Sequence, residues 1–261
     1  MWENKDVTSA LSTTKTIRDS AIVLRTQDLG EHDRIIILAT RQRGILHAVA
    51  RGVRKSSSKI GARLEPFMLV DISASPGKNL ATISQVVTRR AYLGPIINDY
   101  TRYTVATVLA EVAEQLLNHE QERLDEQFTL LAGALSALAR GTYPPHRVLD
   151  SYLLRALHSA GWSMAIGACA ACGSVDDLTY FSPSLGVLCT GCARTGDFPQ
   201  LSPLAPEEPA YLAALATGDW PSILSEHPPA LRQRAERHIM DYVQWQLEQP
   251  LKTLTTLEKE I

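Results

Sequence analysis

The chain has 261 residues, 45% of them apolar and 21% charged. That is an ordinary globular composition, long enough for a sizeable core and for two units. No apolar run approaches the roughly 18 residues of a membrane span, and the N-terminus carries no signal-like apolar stretch, so a reducing cytoplasmic location is expected. The net charge of -2 conceals an asymmetry: Lys15–Arg90 holds 14 Lys/Arg against 6 Asp/Glu, and the chain from Ala91 onward holds 11 against 20. A basic first third on an acidic remainder points to two units with different partners, and the basic one to a polyanion, most simply nucleic acid.

Residues 1–15 are polar and read as a flexible lead. From 16 to 94 the pattern is strand after strand. Ala21–Leu24 is a short apolar run closed by turn signals at Asp28 and Gly30. Arg34–Thr40 and Ile45–Ala50 flank Gly44 as a hairpin. Arg51–Lys59 is a basic, Ser-rich loop. Phe67–Ile72 and Leu80–Val87 are further strands separated by the turn Ser75-Pro76-Gly77-Lys78-Asn79. Five short strands with a basic loop fit a five-stranded OB-fold barrel, a platform that commonly binds oligonucleotides. After Gly94-Pro95 the period becomes helical, and 95–165 reads as the first part of a helical domain. Asn98 or Asp99 caps a helix reaching Asn118. A second helix spans 122–140 with Gly141 at its C′ position, and Pro145 opens a third that ends at Gly161. Residues 199–261 continue the helical domain with a Pro-rich loop, a helix at 207–217 stopped by Gly218, a helix from Pro229 to about Leu247, and a frayed polar tail after Pro250. The fold class is therefore α+β, a barrel followed by a helical bundle.

Between the helical parts, at 166–198, lies the one strong motif. Cys169-Ala-Ala-Cys172 and Cys189-Thr-Gly-Cys192 contain all the cysteines of the chain, at the spacing of a four-thiolate zinc site. Each pair is expected to form a tight turn, with Gly173 and Gly191 free to take positive φ. Two disulfides would require secretion, and a thioredoxin-like redox pair would require a βαβ pattern that is missing. Four protein ligands leave no open position on a metal, so one Zn²⁺ per chain is expected as a structural clamp.

The candidate polyanion contacts are Arg25, Arg34, Arg41, Arg43, Arg51, Arg54, Lys55, Lys59, Arg63, Lys78, Arg89 and Arg90. Their alternative is a solvated surface with charges facing all ways, and the Arg51–Arg63 loop is the strongest piece. Phe67 and Tyr92 are the only aromatic residues between Lys15 and Gly94, and Phe67 reads as core, which favours backbone contacts over base reading. His32-Asp33 reads as a charged turn. No HExxH, Walker A, GxSxG or GxGxxG motif is present, the remaining histidines do not cluster, and no nucleophile stands out, so the chain reads as a non-enzyme.

Three stretches, taken in order, resemble the bacterial recombination mediator family RecO. They are Ala21–Arg25 with Gly30–Ile35 and Gly44–Arg54; Gly61–Phe67 with Asn79–Ile83; and Leu153–Leu157 with Ala160-Gly161-Trp162 and the paired cysteines. The Ala-Gly-Trp triplet stands where the family usually has Leu-Gly-Tyr. The resemblance implies an OB-fold, a helical domain and a zinc module. It also implies binding of single- and double-stranded DNA, annealing of complementary strands, and help in loading RecA onto DNA coated by single-strand-binding protein, with RecR as partner and no enzymatic activity. Under it, Arg155 with Arg102, Arg123, Arg140 or Arg147 becomes a candidate anchor for the acidic tail of single-strand-binding protein, against the plainer role of a packing arginine. A zinc-ribbon adaptor acting through RNA or protein contacts in transcription or translation is the alternative function.

Overall fold

This computed structural model describes residues 16–119, 122–247, 251 and 253. The expected lead 1–15, and the tail beyond Pro250 apart from Leu251 and Thr253, lie outside the described residues. Leu251 itself is 3% exposed and the Thr253 N–H donates to Glu111 at 2.9 Å, so the start of the tail is pinned rather than frayed. An apolar residue at 251 gives the chain a reason to stay down once the last helix ends.

Five strands close a barrel: β1 (Ile17–Leu29), β2 (Asp33–Thr40), β3 (Gly44–Ala50), β4 (Met68–Ser75) and β5 (Ala81–Ala91), in the order β1-β2-β3-β5-β4. β3 and β5 run parallel and the other neighbours antiparallel. This is the OB-fold arrangement expected from the strand count and spacing. β1 is far longer than its apolar run. Its first half pairs with β4 and its second half with β2, with a register shift between Val23 and Arg25. Polar residues outside the run belong to the strand because ladder pairing, not burial alone, holds them.

The continuous apolar runs have a simple cause. Ala21 and Val23 of β1, and Ile36 and Leu38 of β2, point into the barrel. Their neighbours Ile22, Leu24, Ile37 and Ala39 point outward and join the core of the helices. Both faces of these strands are buried, so the alternation expected of a half-exposed strand disappears. A short 3-10 turn at Gly61–Leu64 puts Leu64, fully buried, into the barrel. The turn between β2 and β3 ends at Gly44 with φ +68°, where a Cβ would lie 3.0 Å from the Leu117 carbonyl oxygen, so both backbone shape and the close helix demand glycine.

The helices are α1 (Leu93–Ile97), α2 (Tyr100–His119), α3 (Leu124–Arg140) and α4 (Pro145–Ser159). α1 went unforeseen because Gly94-Pro95 reads as a break, yet proline is tolerated in a first helical turn. Asp99 caps α2, its carboxylate accepting the Arg102 N–H at 3.0 Å. Gly141 ends α3 at φ +64°, as expected. α4 is buried on nearly every side and is the centre of the bundle. The cysteine region follows, with β6 (Leu178–Ser182), β7 (Gly186–Cys189), α5 (Thr190–Thr195) and β8 (Ser202–Pro203) forming a sheet of order β7-β6-β8 beside one short helix. Then α6 (Glu208–Thr217), α7 (Trp220–Leu224) and α8 (Pro229–Gln246) are the last helices among the described residues, and α6 and α8 return to pack on α4. Among the described residues no helix is long and apolar enough to cross a membrane.

Candidate nucleic-acid interface and metal centre

The strand directions sort the cations. The β1–β2 and β3–β4 connections share one end of the barrel, and the β2–β3 and β4–β5 turns share the other. At the first end Arg54 acts as a clasp. Its N–H donates to the His32 carbonyl at 2.9 Å, its guanidinium donates to the Gly30 carbonyl at 3.1 Å, and it pairs with Asp28 at 3.2 Å. Asp33 accepts the Gly52 N–H at 2.7 Å, so His32-Asp33 is a turn that fastens the basic loop. Arg34 pairs with Glu65 at 2.8 Å and with Asp28 at 3.3 Å. Arg34, Arg54, Lys55 and Ser58 line an open cavity of about 400 Å³ with Gly61 and Glu65. Among the described residues Arg51, Lys55 and Lys59 have no carboxylate within ion-pair distance, so their charge is available to a ligand.

The other candidates lie elsewhere. Arg41, Arg43 and Lys78 are on the turns at the far end. Arg25 forms a two-pronged pair with Glu114 of α2, at 2.8 and 2.7 Å, and Arg41 pairs with Asp125 of α3. These two arginines dock the barrel on the helices. Arg63, Arg89 and Arg90 follow β5: Arg63 donates to the Val86 carbonyl at 3.0 Å, and Arg89 pairs with Asp71, its hydrogen bond holding that carboxyl below the usual range. The twelve cations therefore do not share one surface. In OB-folds the outer face of the second and third strands commonly holds the ligand. Here Ile35, Ile37 and Ala39 of β2 and Ile45 of β3 pack against the helical core instead. Among the described residues the candidates without a carboxylate in ion-pair distance are Arg51, Lys55, Lys59 and Arg63 on the loop side, Arg90 at the end of β5, and Arg43 and Lys78 at the far end.

The four cysteine sulfurs lie within 4.8 Å of one another. Cys172 and Cys189 sulfurs are 3.8 Å apart, the edge of a tetrahedron with arms of about 2.3 Å, which is a zinc–thiolate length. All four cysteines are free thiols. Cys189 caps α5, its sulfur accepting the Cys192 N–H at 3.5 Å, so Gly191 is helical and not at positive φ as expected; Gly173 is at +76°. Burial pushes the Cys169 thiol up, but backbone N–H donors at Cys189, Cys172 and Ala171 outweigh it and bring it down to about 6. Hydrogen bonds to the Cys172 and Cys189 sulfurs push Cys192 the other way, to about 12. Four free sulfurs gathered within 4.8 Å, with one pair at the edge length of a zinc–thiolate tetrahedron, fit a closed four-thiolate centre.

A second site had a weaker signal. Arg140 and Arg155 border a cleft of about 380 Å³ with Leu130, Tyr143, Tyr152 and Trp220. Tyr143 and Trp220 stack at 3.8 Å with rings 2° from parallel. The other three candidate arginines are not part of it. Arg147 turns inward, over the Tyr211 ring and 3.5 Å from Asp150. Arg102 pairs with Asp99 at 3.2 Å and lies against Gly141. Arg123 precedes α3, whose 17 residues set it about 25 Å from Arg140. The aromatic wall was missed because Trp220 begins the unforeseen helix α7.

One cluster is also new. The Ser202 hydroxyl and His238 are 2.8 Å apart, and His238 and Glu208 are 2.5 Å apart on the other ring nitrogen. Sequence separation had hidden this. Glu208 and His238 are almost wholly buried and His238 stacks on Phe181 at 4.3 Å, so the chain of hydrogen bonds fastens the cysteine-bearing sheet to α6 and α8.

The profile described as "Recombination protein O N terminal" matches residues 14–92, and "Recombination protein O C terminal" matches 97–255. The chain belongs to the RecO family. Proteins named DNA repair protein RecO are similar over nearly their whole lengths. The one from Nocardioides sp. is 44% identical, covering 93% of this chain and 99% of its own. The one from Cutibacterium acnes is 40% identical (94% and 99%), and the one from Streptomyces coelicolor 43% (93% and 98%). RecO membership supports a role in DNA repair and recombination, and the boundary between the two RecO matches falls at α1, where barrel gives way to helices.

Proposed function

We propose that this chain is a DNA-binding recombination mediator that acts without a catalytic step of its own. The observation that carries the reading is that Arg51, Lys55 and Lys59, on the loop between β3 and β4 at one end of an OB-fold barrel in a RecO-family chain, have no carboxylate within ion-pair distance among the described residues. The barrel captures single- and double-stranded DNA through phosphates. Two captured complementary strands meet at raised local concentration, and their pairing is downhill, so annealing needs no fuel. The cleft between Arg140 and Arg155 takes the acidic C-terminal tail of single-strand-binding protein, with its apolar side chains against Tyr143 and Trp220. That contact brings the protein to coated DNA, where with RecR it helps RecA load.

The metal is zinc, one per chain, held by Cys169, Cys172, Cys189 and Cys192. With four protein sulfurs it supplies a fixed tetrahedral corner and no Lewis acid position. It clamps a segment whose own core is only Cys169, Leu188 and Ala193 with half-buried neighbours.

The test is annealing of complementary oligonucleotides precoated with single-strand-binding protein. Acceleration by the protein, together with a log K against log[salt] slope of roughly -4 to -6 for six to eight phosphate contacts on single strands, is the expected result. A preference for RNA with no annealing would instead support the adaptor reading.

A further inference from the structure

We infer that the barrel–helix junction carries a base-stacking platform, Tyr100 and Tyr103, which engages unpaired DNA bases while the basic loop and β5 hold the phosphates. The inference rests on the DNA-binding reading above and adds to it a site for the bases. The barrel offers no free aromatic ring, since Phe67 and Tyr92 are buried. The helices supply what it lacks. Tyr100 is 59% exposed and Tyr103 39%, and a spacing of three places them on one face of α2. Ile97, 58% exposed, extends the patch on α1. Isolated exposed apolar side chains need no explanation, but two adjacent tyrosines and an isoleucine at the rim of a cationic surface do.

The patch is fixed to the barrel. Phe67, at the entrance to β4, meets the Tyr103 ring edge-on with centroids 5.9 Å apart. Two residues along, Leu69 pairs with Arg90 of β5. The end of β5, Thr88 to Ala91, is exposed and carries Arg89 and Arg90. Before it, Arg63 reaches from the basic loop to the Val86 carbonyl. Lys55, Arg63, Arg89 and Arg90 thus follow the basic loop and the exposed end of β5, and the Leu69–Arg90 pair lies two residues along β4 from the Phe67 that meets Tyr103. The carboxylates on this route, Glu65, Asp71 and Asp99, are each paired with an arginine. Farther along α2, Glu111 and Glu114 line a groove with Arg25, whose charge is taken up by Glu114.

Such a platform distinguishes strands. Every base has a stacking face, so binding tolerates any sequence, but in a duplex those faces are already used. Phosphate contacts alone do not separate the two forms in this way.

The test measures anisotropy of three labelled probes of equal length with the full chain: an oligo(dT), an abasic strand and a duplex. The wild type should bind oligo(dT) more tightly than the abasic strand. Tyr100→Ala should weaken oligo(dT) binding by about 5- to 150-fold, the range for one lost stack, and leave abasic and duplex binding unchanged. Tyr100→Phe should restore it. Tyr100 is the primary position because Tyr103 also supports Phe67. Equal wild-type affinity for oligo(dT) and abasic strand would overturn the platform, as would a Tyr100→Ala loss shared by all three probes. Salt-dependent duplex binding would still stand in that case, keeping the barrel reading separate; its absence would sink both.

Discussion

Replacing Arg51, Lys55 and Lys59 together by alanine removes the unpaired charge of the loop between β3 and β4. None of the three has a carboxylate within ion-pair distance among the described residues, so their removal breaks no ion pair. Stability should change by no more than about 0.5 kcal/mol per site. DNA binding should change greatly. Each phosphate neutralised on a single strand contributes about -0.7 to the slope of log K against log[salt], so three lost contacts flatten it by about 2. Over a rise from about 50 to 200 mM salt, the wild type should lose about 20-fold more affinity than the variant. Fluorescence anisotropy titrations at four salt concentrations give the slopes directly. The pair Arg43→Ala and Lys78→Ala, at the opposite end of the barrel, should leave the slope unchanged. An unaltered slope in the triple variant, or an equal change in the pair, would refute the assignment of the loop end as the phosphate-binding end.

Cys169→Ser should lower the melting temperature and the folded yield first, read by thermal scans with and without a chelator; a well-folded variant that lost DNA binding outright would contradict a purely structural metal. Arg155→Ala or Trp220→Ala should weaken binding of a peptide carrying the acidic tail of single-strand-binding protein by roughly tenfold or more, as expected for a charged or aromatic anchor, while DNA affinity stays constant. Asp150 gives a pH signature. Burial, reinforced by Glu236, raises its carboxyl from 3.8 to about 7 against the opposing pull of Arg147 and His146. The folded state then holds a proton that the unfolded state has lost, so this group's contribution to stability falls as pH rises from about 4 to about 7. Asp150→Asn should remove that fall, and the difference between the two urea midpoints should grow from pH 5 to pH 8; a constant difference would refute it.

What the sequence revealed depended on how local each signal was. Gly141, Gly218, Pro145 and the paired cysteines act within a few residues of themselves, and the structure has them where capping and spacing rules put them. The strand count followed from β-branched runs and turn residues, which are also local. What could not be read was which charges cancel. Arg25 and Glu114 are 89 residues apart and Arg41 and Asp125 are 84 apart, so counting cations could not show that these arginines are spent on docking. The same holds for Ser202, Glu208 and His238, which look scattered along the chain and share one chain of hydrogen bonds.

The partial burial of β2 and β3 joins these observations. A continuous run such as Arg34-Ile35-Ile36-Ile37-Leu38 was legible as a strand, but it also signalled that both faces are covered, and only the helices can cover the outer one. Once α2 and α3 sit there, the usual ligand face of the barrel is no longer free. The helices that take that face also carry the exposed Tyr100 and Tyr103, and Tyr103 meets Phe67, two residues before the Leu69–Arg90 pair. Under the proposed DNA-binding role, docking moves the nucleic-acid surface away from the strand face and toward the basic loop, β5 and the start of α2. A barrel excised from the helices would expose Ile22, Leu24, Ile37 and Ala39 and lose the tyrosines altogether. On this view the helical bundle is part of the DNA-binding surface as well as its support.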